Sequence, residues 1–250
     1  MDPDPNAKGW IVNAKIVVLL LAMLPPVAMA APGVIDFETV PGGVAADQVA
    51  ISNQYQAGFG VTFSLSTGAV PFLEQVGDTD PGRGFYNTGL GVYDAAAAGF
   101  ASQLGNYFLR IGTGSLQTAP MPQLVITYTT PVAAASAQIW DIDGNASGSE
   151  QWLVEAFGSG GGVIDSVVSP LATTEDALSL DGKPWTWSFN HGGSADIFAL
   201  RLSFTGSKSG GIGLALDNFS PAAPVPEPST WWLMICSAGL LAVARRRKIG

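Results

Sequence analysis

The sequence predicts an all-β protein, an antiparallel β-sandwich, and three observations carry that expectation. Apolar and polar residues alternate with period two in several segments, turn-forming residues punctuate those segments, and a single stretch reads as helix. Short strands joined by turns bury their apolar faces most directly against a second sheet.

In chain order the predicted strands are GVTFSL (60–65), QLVITYTT (123–130), SAQIWDI (136–142), QWLVEAFG (151–158) and IFALRLSFTG (197–206). In the last of these, Phe198, Leu200, Leu202 and Phe204 are expected on one face, with Ala199, Arg201, Ser203 and Thr205 on the other. QWLVEAFGSGGGVIDSVVS reads as a hairpin closed by the glycine run 158–162. Turn signals fall at Asp80-Pro81-Gly82, Asp143-Gly144-Asn145, Asp181-Gly182 and Gly210-Gly211. The helix candidate, YDAAAAGFASQL, is short and interrupted by Gly99. No internal repeat is evident, and a Pro/Ala linker occupies 221–228.

Both chain ends carry addressing features. Lys8 and Lys15 precede the apolar run IVVLLLAML, followed by Pro25, Pro26 and Ala28-Met29-Ala30, the layout of a secretory signal cut after Ala30. At the other end no side chain from Trp231 to Ala244 is charged, and Arg245, Arg246, Arg247 and Lys248 follow at once. Fourteen residues make a helix of about 21 Å, short for a bilayer, with Trp231 and Trp232 at one interface and snorkelling arginines at the other. The cations belong in the cytoplasm, which puts the preceding chain across the membrane.

Val225, Pro226, Glu227 and Pro228, the apolar segment and the basic cluster, paired with the N-terminal signal, resemble the PEP-CTERM proteins of Gram-negative bacteria. The resemblance implies that the tail is a sorting signal, with Arg245, Arg246 and Arg247 as its basic end. It implies export by the secretion translocon, cleavage by signal peptidase, transient anchoring in the inner membrane and processing by exosortase. It also implies a final place at the cell surface or in an extracellular matrix of exopolysaccharide, as in biofilms. The expected organisation is a signal peptide at 1–30, a sandwich domain at 31–220, the linker at 221–228, a transmembrane sorting helix at 229–244 and a basic cytoplasmic tail at 245–250.

Without the two end segments, five bases face seventeen acids, a net charge of −12 that repels nucleic acid and attracts divalent cations. The single cysteine, Cys236, lies in the tail, so the exported domain has no disulfide. Its one histidine, His191, sits beside Gly192 and Gly193 and reads as a loop residue rather than a member of a catalytic triad. No phosphate loop, nucleophile elbow or metalloprotease helix occurs, and an enzyme is not expected.

VIDFETV, GVTFS, WDIDGNASGSEQWLVEAF and LALDNFS resemble jelly-roll domains similar in plan to carbohydrate-binding modules. In such modules the first and last strands lie side by side and hold a structural calcium, which nominates Glu38 and Asp217 as ligands. DIDGNASGSE (141–150) repeats oxygen donors at Asp141, Asp143, Asn145 and Ser147 but has glycine at the fourth position and Trp152 at the twelfth. That is not an EF-hand, and it reads first as a solvated hairpin turn and second as a calcium loop of another kind. DTDPG (78–82) is a turn with a weaker metal reading.

Trp185, Trp187 and Phe189 share one face of a predicted strand; the stripe is either core or, through Trp185 and Trp187, a stacking platform for sugar rings. The expected function is an exported surface protein with an exopolysaccharide-associated or carbohydrate-binding role. The alternatives are a structural surface protein without a ligand and an extracellular hydrolase.

Overall fold

In the computed structural model the described residues all fall within one compact unit, Ala31–Gly250. The structure describes residues 33–77, 82–112, 116–174 and 179–221. The predicted signal peptide, the sorting tail and most of DTDPG lie outside the described residues.

The elements in order are α1 (Gln56–Phe59), β1 (Val61–Leu65), β2 (Phe72–Gln75), β3 (Tyr86–Asn87), β4 (Val92–Tyr93), α2 (Ala101–Leu104), β5 (Tyr107–Arg110) and β6 (Gln117–Thr118). They continue with β7 (Leu124–Val132), β8 (Ala134–Trp140), β9 (Trp152–Phe157), β10 (Val163–Val168), β11 (Pro184–Asn190), β12 (Ile197–Phe204), β13 (Gly210–Ile212) and β14 (Ala215–Ser220). Two five-stranded antiparallel sheets form the sandwich, one in the order β1-β7-β12-β9-β10 and the other β11-β8-β14-β5-β2. The fold is therefore almost all β, as expected. Of the predicted helix only the single turn of α2 forms. Among the described residues no helix is long and apolar enough to cross a membrane.

Alternation decides what each strand buries. On β1, Val61, Phe63 and Leu65 turn inward; on β7, Leu124, Ile126 and Tyr128; on β9, Trp152, Val154 and Ala156. Facing them from the second sheet are Leu109, Ile139, Trp187, Phe189 and Leu216. The predicted hairpin forms as the pair β9 and β10.

β12 departs from the expected alternation at its start. The register against β7 slips between Ile197 and Ala199, a bulge that sends Ile197 into the core and leaves Phe198 exposed. Leu200 and Leu202 face inward as expected.

The two sheets differ on their outer faces. Phe108, Trp140 and Ala215, on the outer side of the second sheet, are buried with Phe85 and Leu104 in a separate small cluster. The segment 82–104 closes that face, with Arg110 paired to Glu74 beneath it and Asp94 accepting the N–H groups of Gly84 and Phe85 at 2.8 and 2.9 Å. The first sheet keeps Val125, Thr127, Glu155, Phe157 and Arg201 at least partly open.

His191 is a loop residue, as read from the sequence, and it clasps Asp196 through Nδ1 at 2.6 Å and Asp165 on β10 through Nε2 at 3.3 Å. The hydrogen bond to Asp196, then that to Asp165, raises its pKa above the ordinary 6.5, with partial burial opposing. A raised value means the clasp's stabilisation is complete below about pH 6.5 and is lost as pH rises through the folded value. Subtracting the His191→Gln melting profile from that of wild type should give a positive difference at acid pH that vanishes under alkaline conditions. A pH-independent difference would refute the titrating clasp.

Candidate functional site

Four carboxylates and one lysine meet between the sheets at the end of the sandwich where β8 stops. The segment 141–151 does turn at 145–148, where Asn145 and Gly148 exchange backbone hydrogen bonds at 2.9 and 3.0 Å and Ala146 and Ser147 are exposed, but it does not join two strands of one sheet as a hairpin would. β8 belongs to one sheet and β9 to the other, so the segment crosses between them, and Asp141, Ile142, Asp143 and Gly144 are all buried. Asp141 bends the chain there at φ 63°, a left-handed conformation that Asp tolerates better than most residues. A Cβ on Gly144 would lie 2.5 Å from the Thr173 backbone, so the crossover packs directly on the chain after β10.

The β10–β11 connection contributes Asp181 and Gly182. Gly182, at φ 61°, donates its N–H to Asp141 Oδ1 at 2.6 Å. Asp181 accepts the N–H groups of Thr88 and Gly89, one on each oxygen, both at 2.8 Å. From the chain beyond β12, Lys208 Nζ donates to Asp143 Oδ1 at 2.8 Å and to Glu150 Oε1 at 2.9 Å. Ligand oxygens of Asp141, Asp143 and Asp181 all lie within 4.8 Å of one another. A pocket of about 130 Å³ beside them is lined by Tyr86, Thr88, Tyr93, Asn145 and Lys208 as well.

Burial and mutual repulsion set the charges. Asp141 is pushed well above the ordinary carboxylate range by burial first and by the Asp143 charge next. Burial raises Glu150 to about 8 even though Lys208 opposes the shift. Lys208 is shifted upward overall, its own desolvation outweighed by Glu150 and Asp143.

The pair nominated through the resemblance is brought together at the chain ends. Ile35 and Phe219 exchange backbone hydrogen bonds at 2.8 and 2.9 Å, so the opening segment lies beside β14. Glu38, however, spends its carboxylate on Asn106 and Tyr107: Oε2 takes the Asn106 side chain at 2.8 Å and Oε1 takes the Tyr107 N–H at 3.1 Å. Asp217 is 1% exposed and raised to about 9, by burial first and then by Asp36 and Glu38, against the opposing Asn218 N–H. Asp36 also lies close enough for its charge to act on Asp217, but among the described residues the three carboxylates with oxygens close enough to share one ion are Asp141, Asp143 and Asp181.

Of the two readings of the tryptophan stripe, its burial favours core. Trp187 is 2% exposed and Phe189 is buried with it, while Trp185 is half-buried and packs on the same core; Thr186, Ser188 and Asn190 take the outer side. β11 lies at a sheet edge, yet its apolar face still turns to the opposing sheet. Trp187 is therefore core rather than a platform for sugar.

An open groove lies instead on the outer face of the first sheet. Register places Arg201 between Val125 and Glu155, and Ala199 between Thr127 and Phe157. The small Ala199 leaves a depression of about 460 Å³, lined also by Gln123, Ser159 and Phe198. Arg201 stacks 4.6 Å over the Phe157 ring and makes two bonds to Glu155 Oε2, at 3.0 and 2.9 Å. Sequence reasoning missed Asp181, Glu150 and Lys208 in the buried cluster, and Phe157 and Phe198 here. The legible signal was a lysine in a domain with only five bases and an aromatic on the polar side of the QWLVEAFG alternation.

Fold and termini together define an all-β sandwich joined to a C-terminal sorting signal. Residues 224–248 match the PEP-CTERM protein-sorting motif, which marks an exported protein sorted to the cell surface and processed by exosortase. No curated protein matches the chain. Among solved structures it is similar to the enzymatically active domain of tailspike protein 4 from bacteriophage CBA120, at 12% identity and TM-score 0.30. That match covers 70% of this chain and 21% of the tailspike chain. It is also similar to the CBM22-1 xylan-binding domain of Paenibacillus barcinonensis Xyn10C, at 14% identity and TM-score 0.18, covering 42% of this chain and 76% of that domain.

Proposed function

We propose that this protein is an exosortase-processed surface protein whose sandwich binds exopolysaccharide in the groove over Ala199. The observation that carries the reading is a partly open aromatic ring, Phe157, fixed in a depression beside hydrogen-bonding groups of Arg201, Glu155, Gln123 and Thr127. Sugars present apolar ring faces edged by hydroxyls, and an aromatic face bordered by donors and acceptors is complementary to both. On the opposite sheet the outer face is covered over β5, β14 and the end of β8. Arg201 is pre-organised by Glu155 and Phe157, so little side-chain freedom is lost on binding.

Co-sedimentation of the full chain with the producer's own exopolysaccharide tests this. Phe157→Ala should weaken binding at least about tenfold, equivalent to about 1.4 kcal/mol, with the melting temperature little changed. Wild type that remains in the supernatant would favour a structural surface protein without a ligand. Polymer shortening during the assay would favour the hydrolase.

A further inference from the structure

We propose that Asp141, Asp143 and Asp181 form a calcium-type divalent cation site that ties the inter-sheet crossover to the β10–β11 connection. The site is independent of the sugar groove. It brings together three buried carboxylates from two separated segments, with oxygens already within 4.8 Å of one another. Each carboxylate offers about four lone-pair positions, so the bonds from Gly182, Lys208, Thr88 and Gly89 orient these oxygens without exhausting them.

A second observation points to a missing cation. Glu150 is 2% exposed and its Oε2 has no hydrogen-bond partner. It faces this cluster: its Oε1 shares Lys208 Nζ with Asp143, and its charge acts on Asp141. Four buried carboxylates with one bridging lysine leave negative charge that either takes up protons or draws in a cation. A buried oxygen acceptor without a donor costs about 1–3 kcal/mol, and a divalent ion relieves both deficits. The adjoining pocket, with Thr88 and Asn145 on its wall, supplies neutral oxygens and a route of entry. All the ligands are hard oxygens, and their number leaves room for water, as calcium accepts.

The test uses the full chain, purified and stripped with chelator. Terbium, a calcium mimic, should give saturable sensitised emission, because Tyr86 and Tyr93 line the pocket, and calcium should displace it. Calcium should also raise the melting temperature of wild type, since an ion bound only by the folded state stabilises it. Asp143→Asn, which leaves the Asp181 bonds to Thr88 and Gly89 intact, should weaken calcium binding at least about tenfold while Glu38→Gln binds as wild type does. Asp181→Asn should weaken binding as well. If it fails to fold because the Thr88–Gly89 loop is released, Asp143→Asn alone decides. Absence of terbium emission and of a calcium-dependent melting shift in wild type would overturn the proposal. Loss of binding in Glu38→Gln with full binding in Asp143→Asn would also overturn it, placing the ion at the chain-end pair.

Discussion

Replacing Pro226 and Glu227 with alanine should leave the full-length chain uncut in the inner membrane, while wild type loses the segment from about Ser229 onward. A passive anchor needs only the apolar run and its flanking cations, both of which the double variant keeps. A membrane protease must read something at the outer face. Pro226 and Pro228 each fix φ and disfavour helix, so the sequence around Glu227 favours an extended segment that a protease can read. The match of 224–248 to the sorting motif brings these residues and the basic cluster into one signal. Intact masses of membrane and released fractions from the native host would distinguish the outcomes. Equal release of both proteins would show that Pro-Glu-Pro is not what is read.

Lys208→Met should be the most damaging single substitution in the sandwich end, costing about 3–5 kcal/mol near neutral pH. The ammonium is 4% exposed and touches Asp143 and Glu150 at 2.8 and 2.9 Å, and methionine fills its volume without its charge. What remains is a set of buried acids with no counter-charge, and the loss reflects stranding them rather than the net value of the ion pairs. The deficit should depend on pH with a definite sign. Glu150 sits at about 8 in the folded protein against an ordinary 4.5, so its contribution favours folding below 4.5 and is lost as pH rises through 8. Removing Lys208 moves the folded value still higher, and the variant's shortfall should shrink under acid conditions. Urea unfolding at about pH 5 and about pH 8, with chelator present so that no divalent ion replaces the lysine, provides the comparison. A shortfall equal at both pH values would show that the damage comes from packing and not from charge.

The aromatic stripe of β11 shows how far alternation reaches. The pattern at Trp185, Trp187 and Phe189 was readable as a shared strand face, because the side-chain period of a strand is two wherever the strand lies. Whether that face met solvent or the other sheet depended on which strands neighboured β11, and the structure buries Trp187 in the core. The bulge at the start of β12 has a similar lesson. Phe198 and Leu200 look equivalent in the sequence, and only the slipped register against β7 sends one outward and the other inward.

The sorting tail stands at the opposite extreme from the buried charges. The sorting motif at 224–248 is defined by composition and order along the chain, so the apolar run, the terminal cations and Pro-Glu-Pro were legible without any fold. The all-β class followed from period and turns for a related reason, since backbone periodicity is a local property. The acidic cluster required tertiary structure. Asp141 and Asp143 looked like part of a solvated turn, Asp181 like another turn some forty residues on, and Lys208 like an isolated base. Electrostatic meaning depends on distance and dielectric. Both were decided when the crossover between two sheets drew these residues together and buried them.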